Sequence, residues 1–262
     1  MSYSSFAGVY DALMKNADYK TRADYICKIL FRHNIKNGLL LDLACGTGEL
    51  SSELSRRGFE VIGTDASPEM LAVAQMKAAS DGENILFLCQ KMQETDLYGT
   101  VGAIVCTLDS INHLSSLEEL NETFSRLKNF IDIGGIMIFD VNTLYKHKYV
   151  LGNNTFVYDE PGVFCVWQNT LYSDEKTVGI NLDFFIKENG GKYSRRSESF
   201  KERAFKKKLS TQCGCKERAF SREELTAAFT GASFSLEAVY KENSFLSPDE
   251  TTEREIYVIK RV

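Results

Sequence analysis

Residues 39 to 50 read LLLDLACGTGEL, an apolar run carrying Asp42 that breaks into Cys45-Gly46-Thr47-Gly48. Two glycines after a strand mark a turn that needs positive φ or a close approach of the backbone to a ligand, and a helix starting near Gly48 aims free N–H groups at whatever sits there. Such a turn can cradle a pyrophosphate, or it can let another cofactor lie against bare backbone. The dinucleotide fingerprint GxGxxG requires a third glycine, and counting from Gly46 that position is Ser51. Asp65 ends the next apolar run, FEVIGTD (59 to 65), where a carboxylate can accept from two vicinal ribose hydroxyls. Together these residues imply a ribose without a pyrophosphate.

Outward from that turn, short apolar runs alternate with helical periodicity. LLLDLA (39 to 44), FEVIGTD, ILFLCQ (85 to 90), VGAIVCTL (101 to 108) and GGIMIFDV (134 to 141) read as five strands of a mostly parallel sheet. Ser67-Pro68 opens a helix reaching about Ala79, and Ser116 with Glu119 forms a capping box for another, whose stripe is Leu117, Leu120, Phe124, Leu127 and Ile131. Before the first strand, Ala23, Ile26, Cys27, Leu30 and Phe31 make a further stripe, preceded by Phe6, Tyr10 and Tyr19 as packing aromatics. After residue 143 the character changes to β-branched and aromatic segments, FCVWQNTLY (164 to 172) and TVGINLDFFIK (177 to 187), with a turn at Asn189-Gly190-Gly191. A capping box at Ser221 and Glu224 then opens a last helix, and FSLEAVY (234 to 240) and REIYVIKR (254 to 261) complete a seven-stranded sheet. The expected fold is a doubly wound α/β core, residues 1–142 and 218–262, with residues 143–217 as an antiparallel β insert forming a lid. KERAF occurs at 201–205 and again at 216–220. Removing residues 201–215 leaves a smooth strand-to-helix junction, so the repeat reads as a short tandem insertion.

Bulk properties narrow the classes of partner. A net charge of −5 disfavours nucleic acid, and Lys206-Lys207-Lys208 reads as a solvated loop. No apolar window is long enough to span a membrane and the first residues lack a signal peptide's pattern, which places the protein in the cytoplasm. The seven cysteines are scattered, and Cys213-Gly214-Cys215 has no second pair to complete a zinc site, so no metal is expected.

The heptapeptide DLACGTG (42 to 48), the acidic end of the second strand, GTDASPEML (63 to 71), CTLDSINHL (106 to 114), IFDVNT (138 to 143) and the N-terminal YDALM (10 to 14) resemble the class I S-adenosylmethionine-dependent methyltransferases, and within them a small-molecule subgroup of unassigned substrate. The resemblance covers nearly the whole chain. It implies S-adenosylmethionine as cofactor, with Gly46 and Gly48 letting the backbone meet the methionine portion, Asp42 orienting the loop and Asp65 holding the ribose. Ala66 and Met92 would sandwich the adenine, and Tyr10, Ala44 and Leu108 join the cofactor contacts. Two positions depart from the pattern. Lys91 stands where many relatives accept from the adenine amino group, which a lysine cannot do. Arg22 stands where the subgroup tends to have tryptophan at its lid.

Methyl transfer from a sulfonium is an in-line displacement whose main demand is alignment in a water-poor pocket. A hydroxyl, thiol or ammonium nucleophile also has a proton to lose. Asp109 and His113 follow the fourth strand at the carboxyl edge of the sheet, and His113 is read either as that base or as a packing residue of its loop. Asn112, Asn142 and Tyr145 are candidate substrate contacts by position. Trp167 is either the roof of the pocket or core of the insert, and Arg218 either an anion partner or a salt-bridge residue. The leading expectation is methyl transfer to a small-molecule acceptor. A non-catalytic nucleoside-binding protein and a nicotinamide dehydrogenase are the alternatives, the latter weakened by Ser51.

Overall fold

The opening stretch forms β1 (Gly38–Leu43), whose Leu40, Leu41 and Leu43 are fully buried. An apolar run without alternation suits a strand covered on both faces. In the computed structural model, which describes residues 7–14, 17–188, 190–200 and 216–262, β1 pairs in parallel with β2 (Phe59–Asp65) on one side and with β4 (Val101–Cys106) on the other. The sheet continues through β3 (Leu86–Cys89) and β5 (Ile131–Asn142) to β11 (Phe234–Lys241) and β12 (Arg254–Arg261), in the order β11-β12-β5-β4-β1-β2-β3. β12 runs antiparallel to both its neighbours, so the five expected strands and the two C-terminal ones make one seven-stranded sheet.

Helices cover both faces. α5 (Leu117–Leu127) and α6 (Arg222–Gly231) bury Phe124, Leu127 and Phe229 against Phe139 and Tyr257. On the other face α2 (Tyr19–Arg32) and α3 (Glu49–Ser55) bury Ile26, Leu30 and Leu54 against Val105 and Ile138. α4 (Pro68–Asp81) begins as expected, with Ser67 Oγ accepting from the Met70 N–H, and ends two residues later than expected at Asp81, capped by Gly82, whose φ of 68° suits glycine. α5 departs more. Ser116 Oγ accepts from the Glu119 N–H, but the Glu119 carboxylate turns to the Ser115 N–H rather than completing the box. Its stripe also loses both ends: Leu117 is 38% exposed, and Ile131 is buried as the first residue of β5. α6 carries both limbs of its capping box.

A second, antiparallel sheet holds α1 (Ala7–Leu13) near the core, since α1 touches both α4 and β6 (Thr155–Glu160). Its other strands are β7 (Val163–Leu171), β8 (Thr177–Lys187), β9 (Tyr193–Phe200) and β10 (Lys216–Arg218). β6 and β10 are additions to the sequence expectation. β9 and β10 occupy one edge of β8 in unbroken register: Phe200 lies opposite Ile180, and Lys216 opposite the adjacent Gly179. Residues 201–215, including the first KERAF copy, the lysine run and Cys213 and Cys215, lie outside the described residues, as do Phe6 and Asn189. Among the described residues no helix is long and apolar enough to cross a membrane.

Candidate functional site

The strand order reverses between β1 and β4, and open α/β sheets place ligands at the carboxyl ends of strands flanking such a reversal. Here the loop after β1 takes φ values of 60° at Ala44, 55° at Gly46 and 77° at Gly48. The Gly46 N–H donates to Asp65 Oδ2 (2.9 Å) and the Ser67 N–H to Oδ1 (2.8 Å), so the loop and the end of β2 are tied through one carboxylate. A Cβ on Gly46 would meet nothing within 4 Å, which leaves open space over bare backbone. A Cβ on Gly48 would instead lie 3.0 Å from Ala74 Cβ and 3.1 Å from Phe87, so this glycine serves close packing onto α4 and β3. Beneath the loop, Ser51 Oγ donates to Asp42 Oδ2 at 2.5 Å. Ser51 thus uses its hydroxyl where a pyrophosphate loop would need glycine. Burial pushes the Asp42 carboxyl up to about 7 against that hydrogen bond, with the Asp65 charge adding to the rise. Burial likewise raises Asp65, opposed by the Ser67 and Gly46 amides and by His113. Open backbone, positive φ and a carboxylate held at the ribose position fit the adenosyl cofactor that the motifs imply.

α1 is latched over this loop. Asp11 Oδ1 accepts from Thr47 Oγ1 (2.6 Å), while Lys77 Nζ bridges Asp11 and Glu49 at 2.5 and 2.6 Å. Next to it Tyr10 bonds Tyr19 and lies near both Asp65 and Asp109, with its hydroxyl driven up chiefly by burial. Ala66 is exposed beside Asp65, and Met92 is half-buried against the core. Lys91 turns to solvent and pairs with Glu94 (2.8 Å).

Beyond β4, Leu108 and Asp109 sit consecutively in the left-handed region, at φ 57° and 55°. Non-glycine residues adopt that region at a cost. Asp140, fully buried on β5, accepts from both their N–H groups at 2.9 and 2.6 Å. The same carboxylate binds Arg254 (2.7 Å) and Arg22 (3.2 Å). Arg254 also pairs with Asp109, and Arg22 with Glu242 (2.7 Å). Two guanidiniums among three carboxylates therefore hold the strained turn. Arg22 reaches β5 from α2 and braces the two through its terminal nitrogens. Sequence reasoning passed over Asp140, Arg254 and Glu242; the available signals were a buried-type aspartate in IMIFDVN and an arginine beside the apolar stripe of α2.

The carboxylates of Asp109 and Glu217 and the His113 imidazole bring ligand-type atoms within 4.8 Å of one another. Burial would raise Asp109, but Arg254, then Lys146 and His113, hold it well below the usual carboxylate range. Glu217 goes the other way: burial first, then the Asp109 charge, push it up to about 7 against His113 and Lys146. Asn142 Nδ2 donates to Glu217 Oε2 (3.2 Å), and its Oδ1 accepts from Lys146 Nζ (2.9 Å). Asn112 is fully buried and binds the backbones of Asn142 and Arg218, strapping the turn after β4 to β5 and β10. Arg218 pairs with Glu224 at 3.0 Å. Trp167 packs with Phe156 and Tyr158 inside the insert, its N–H donated to Asn169. Tyr145 lines a separate cleft of about 410 Å³ with Phe220, Arg222 and Glu255. Thus Asp109, His113 and Asn142 come together, while Tyr145, Trp167 and Arg218 face other surroundings. Glu217, missed as a functional residue, was visible only as part of the repeated KERAF.

A methyltransferase-domain family matches residues 40–135. The chain is 37% identical over 235 residues to YqeM of Bacillus subtilis (strain 168), a protein classed as a methyltransferase, with 88% of this chain and 91% of that one covered. The crystal structure of a S-adenosylmethionine-dependent methyltransferase from Clostridium acetobutylicum ATCC 824 superposes with a TM-score of 0.84 at 31% identity, covering 99% of this chain and 98% of that one. The dTDP-3-amino-3,6-dideoxy-alpha-D-glucopyranose N,N-dimethyltransferase of Streptomyces fradiae is 28% identical over 136 residues, 51% of this chain and 52% of its own.

Proposed function

The chain belongs to the S-adenosylmethionine-dependent methyltransferases, and from that premise we propose that it methylates a small molecule in the space between the Gly46–Asp65 corner and the Asp109–His113–Glu217 cluster. The observation that carries this reading is the placement of a proton-accepting cluster beside a ribose-type carboxylate at the reversal of the sheet. S-adenosylmethionine, when bound, supplies an electrophilic methyl carbon on a sulfonium. The chain's own residues do the rest. Asp65 accepts from ribose hydroxyls with lone pairs not taken by the Gly46 and Ser67 amides, and Gly46 exposes backbone. Asp42 fixes the loop from below through Ser51, while Ala44 and Leu108 shape its rim and Ala66 and Met92 offer apolar surface to a base. Lys91, paired with Glu94, gives the base no acceptor.

On the acceptor side, Tyr10 and α1 exclude water, and the insert contributes Glu217 through β10. This supports residues 143–217 as a substrate cap. His113 lies within the fields of Asp65, Asp109 and Glu217 at once, which puts it at the centre of the polar cluster on the acceptor side. Asn142 orients Glu217 and Lys146. A small-molecule acceptor also agrees with the amino-sugar substrate named for the Streptomyces fradiae relative. Calorimetry with S-adenosylhomocysteine tests the reading: binding well below about 1 mM is expected, and silence at that concentration refutes it. Turnover is then sought over a panel of small hydroxyl, thiol and amine acceptors.

A further inference from the structure

We propose that Glu217 is the proton acceptor for the incoming nucleophile and that His147 positions it, the carboxyl and the imidazole sharing one proton between them. The inference deepens the methyl-transfer reading and rests on it.

His147 lies on a π-turn, Lys146–Leu151, closed by the Gly152 N–H to the His147 carbonyl at 2.8 Å. Single π-turns frequently mark functional positions. The His147 Nδ1 sits 2.9 Å from the Lys176 carbonyl oxygen. A carbonyl only accepts, so Nδ1 carries the hydrogen and Nε2 presents a bare lone pair. That Nε2 is fully buried, has no hydrogen-bond partner among the described residues, and lies 3.8 Å from Glu217 Oε2. Burial also holds the ring neutral, its pKa down to about 4. A buried lone pair 3.8 Å from an ionised carboxylate is repelled by it, whereas a carboxylic acid in that place can turn its O–H toward the nitrogen and close the gap. The pocket is therefore built to receive a proton on Glu217.

The other groups facing this carboxyl are Asp109 and His113 after β4, Asn142 at the end of β5 and Lys146 on the π-turn; on its own strand Arg218 turns away to Glu224. Asp109 favours the acid form while His113 and Lys146 favour the ionised one, which leaves Glu217 poised near neutrality, where a general base works best. In the step assigned to it, the bond between hydrogen and the acceptor's heteroatom breaks, the heteroatom keeps the electron pair, and the proton lands on Glu217 Oε, whose O–H then points to His147 Nε2. The acceptor is accordingly a nucleophile that arrives bearing a proton: an ammonium, a thiol or a hydroxyl.

Two spectroscopic measurements on the full chain test this. In ¹⁵N-detected NMR, His147 should remain the Nδ1–H tautomer down to about pH 5, with its Nε2 shift following a titration near pH 7. Infrared difference spectra across that range should show a protonated-carboxyl stretch that Glu217→Gln removes; a second such band, from Asp42, should vanish only in Asp42→Asn. The wild-type NMR result suffices if Glu217→Gln fails to fold. An Nε2–H tautomer, or a Glu217 already ionised at pH 6, overturns the proposal. Titration of the same wild-type sample with S-adenosylhomocysteine separates the two failures: binding without the Glu217 signature rejects this inference alone, and absence of binding rejects the methyl-transfer reading beneath it.

Discussion

The Gly46–Asp65 corner and the Asp109–Glu217 cluster sit at the same edge of the sheet but are held in different ways. The corner is made of backbone amides and one carboxylate from two consecutive strands, tied by hydrogen bonds between residues 19 apart in sequence. The cluster draws on α2, β5, β10, β12 and the π-turn. Its ties, such as Arg22 to Asp140 and Asn112 to Arg218, join residues 118 and 106 apart. A local backbone cradle needs few particular side chains, so it recurs with the cofactor. A charge network assembled over long range specifies one arrangement of several elements, and that is where acceptor choice can diverge while the cofactor half stays the same.

The first way to break this contrast is at Asp140. Asp140→Ala leaves Arg22 and Arg254 short of a buried counter-ion and frees two amides of a left-handed turn, so urea denaturation should show a loss of about 3–5 kcal/mol. A loss under about 1 kcal/mol would mean that the network is not what holds the acceptor side. Next, Asp65→Ala removes the carboxylate that ties the corner and should weaken S-adenosylhomocysteine binding by about 100-fold, roughly 2.7 kcal/mol, by calorimetry.

Asp42 gives a pH-dependent contrast. Its folded pKa of about 7 stands above the unfolded value near 3.9, so the folded chain keeps a proton that the unfolded chain has released. The stability this contributes is complete below about pH 3.9 and is lost as pH rises to about 7. Asp42→Asn should therefore be more stabilising at about pH 7.5 than at about pH 5.5, by about 2 kcal/mol, readable as thermal midpoints. Lys91→Glu should sharpen the corner only slightly, tightening S-adenosylhomocysteine by at most about tenfold. The smallest effect belongs to the insert edge: deleting residues 201–215 joins Phe200 to Lys216, which already face adjacent residues of β8, and should move the melting temperature by less than about 2 °C.

Much of the core was legible because its signals are local. β2, β8 and β12 match their apolar segments residue for residue, and Ser67 and Ser221 cap their helices as their neighbours dictate. The misreadings lie where tertiary context decides. Ile131 continued the α5 spacing yet belongs to β5, because the helix stops at Leu127 and the next buried residue is supplied by the sheet. β10 has three residues, too few for any periodicity, and Glu217 on it gains its character from burial and from Asp109, His113, Lys146 and Asn142. No spacing rule connects those positions. Arg22 stood out only as a departure from tryptophan, because its partners, Asp140 and Glu242, are remote in sequence.

The unbroken register of β9 and β10 bears on how this chain could have lengthened without losing its site. Residues 201–215 begin with KERAF and are followed by KERAF again at 216–220, whose first three residues pair with Thr177–Gly179 of β8 directly beyond the pairing of β9. Glu217 is the glutamate of the second copy and stands opposite Val178 of β8.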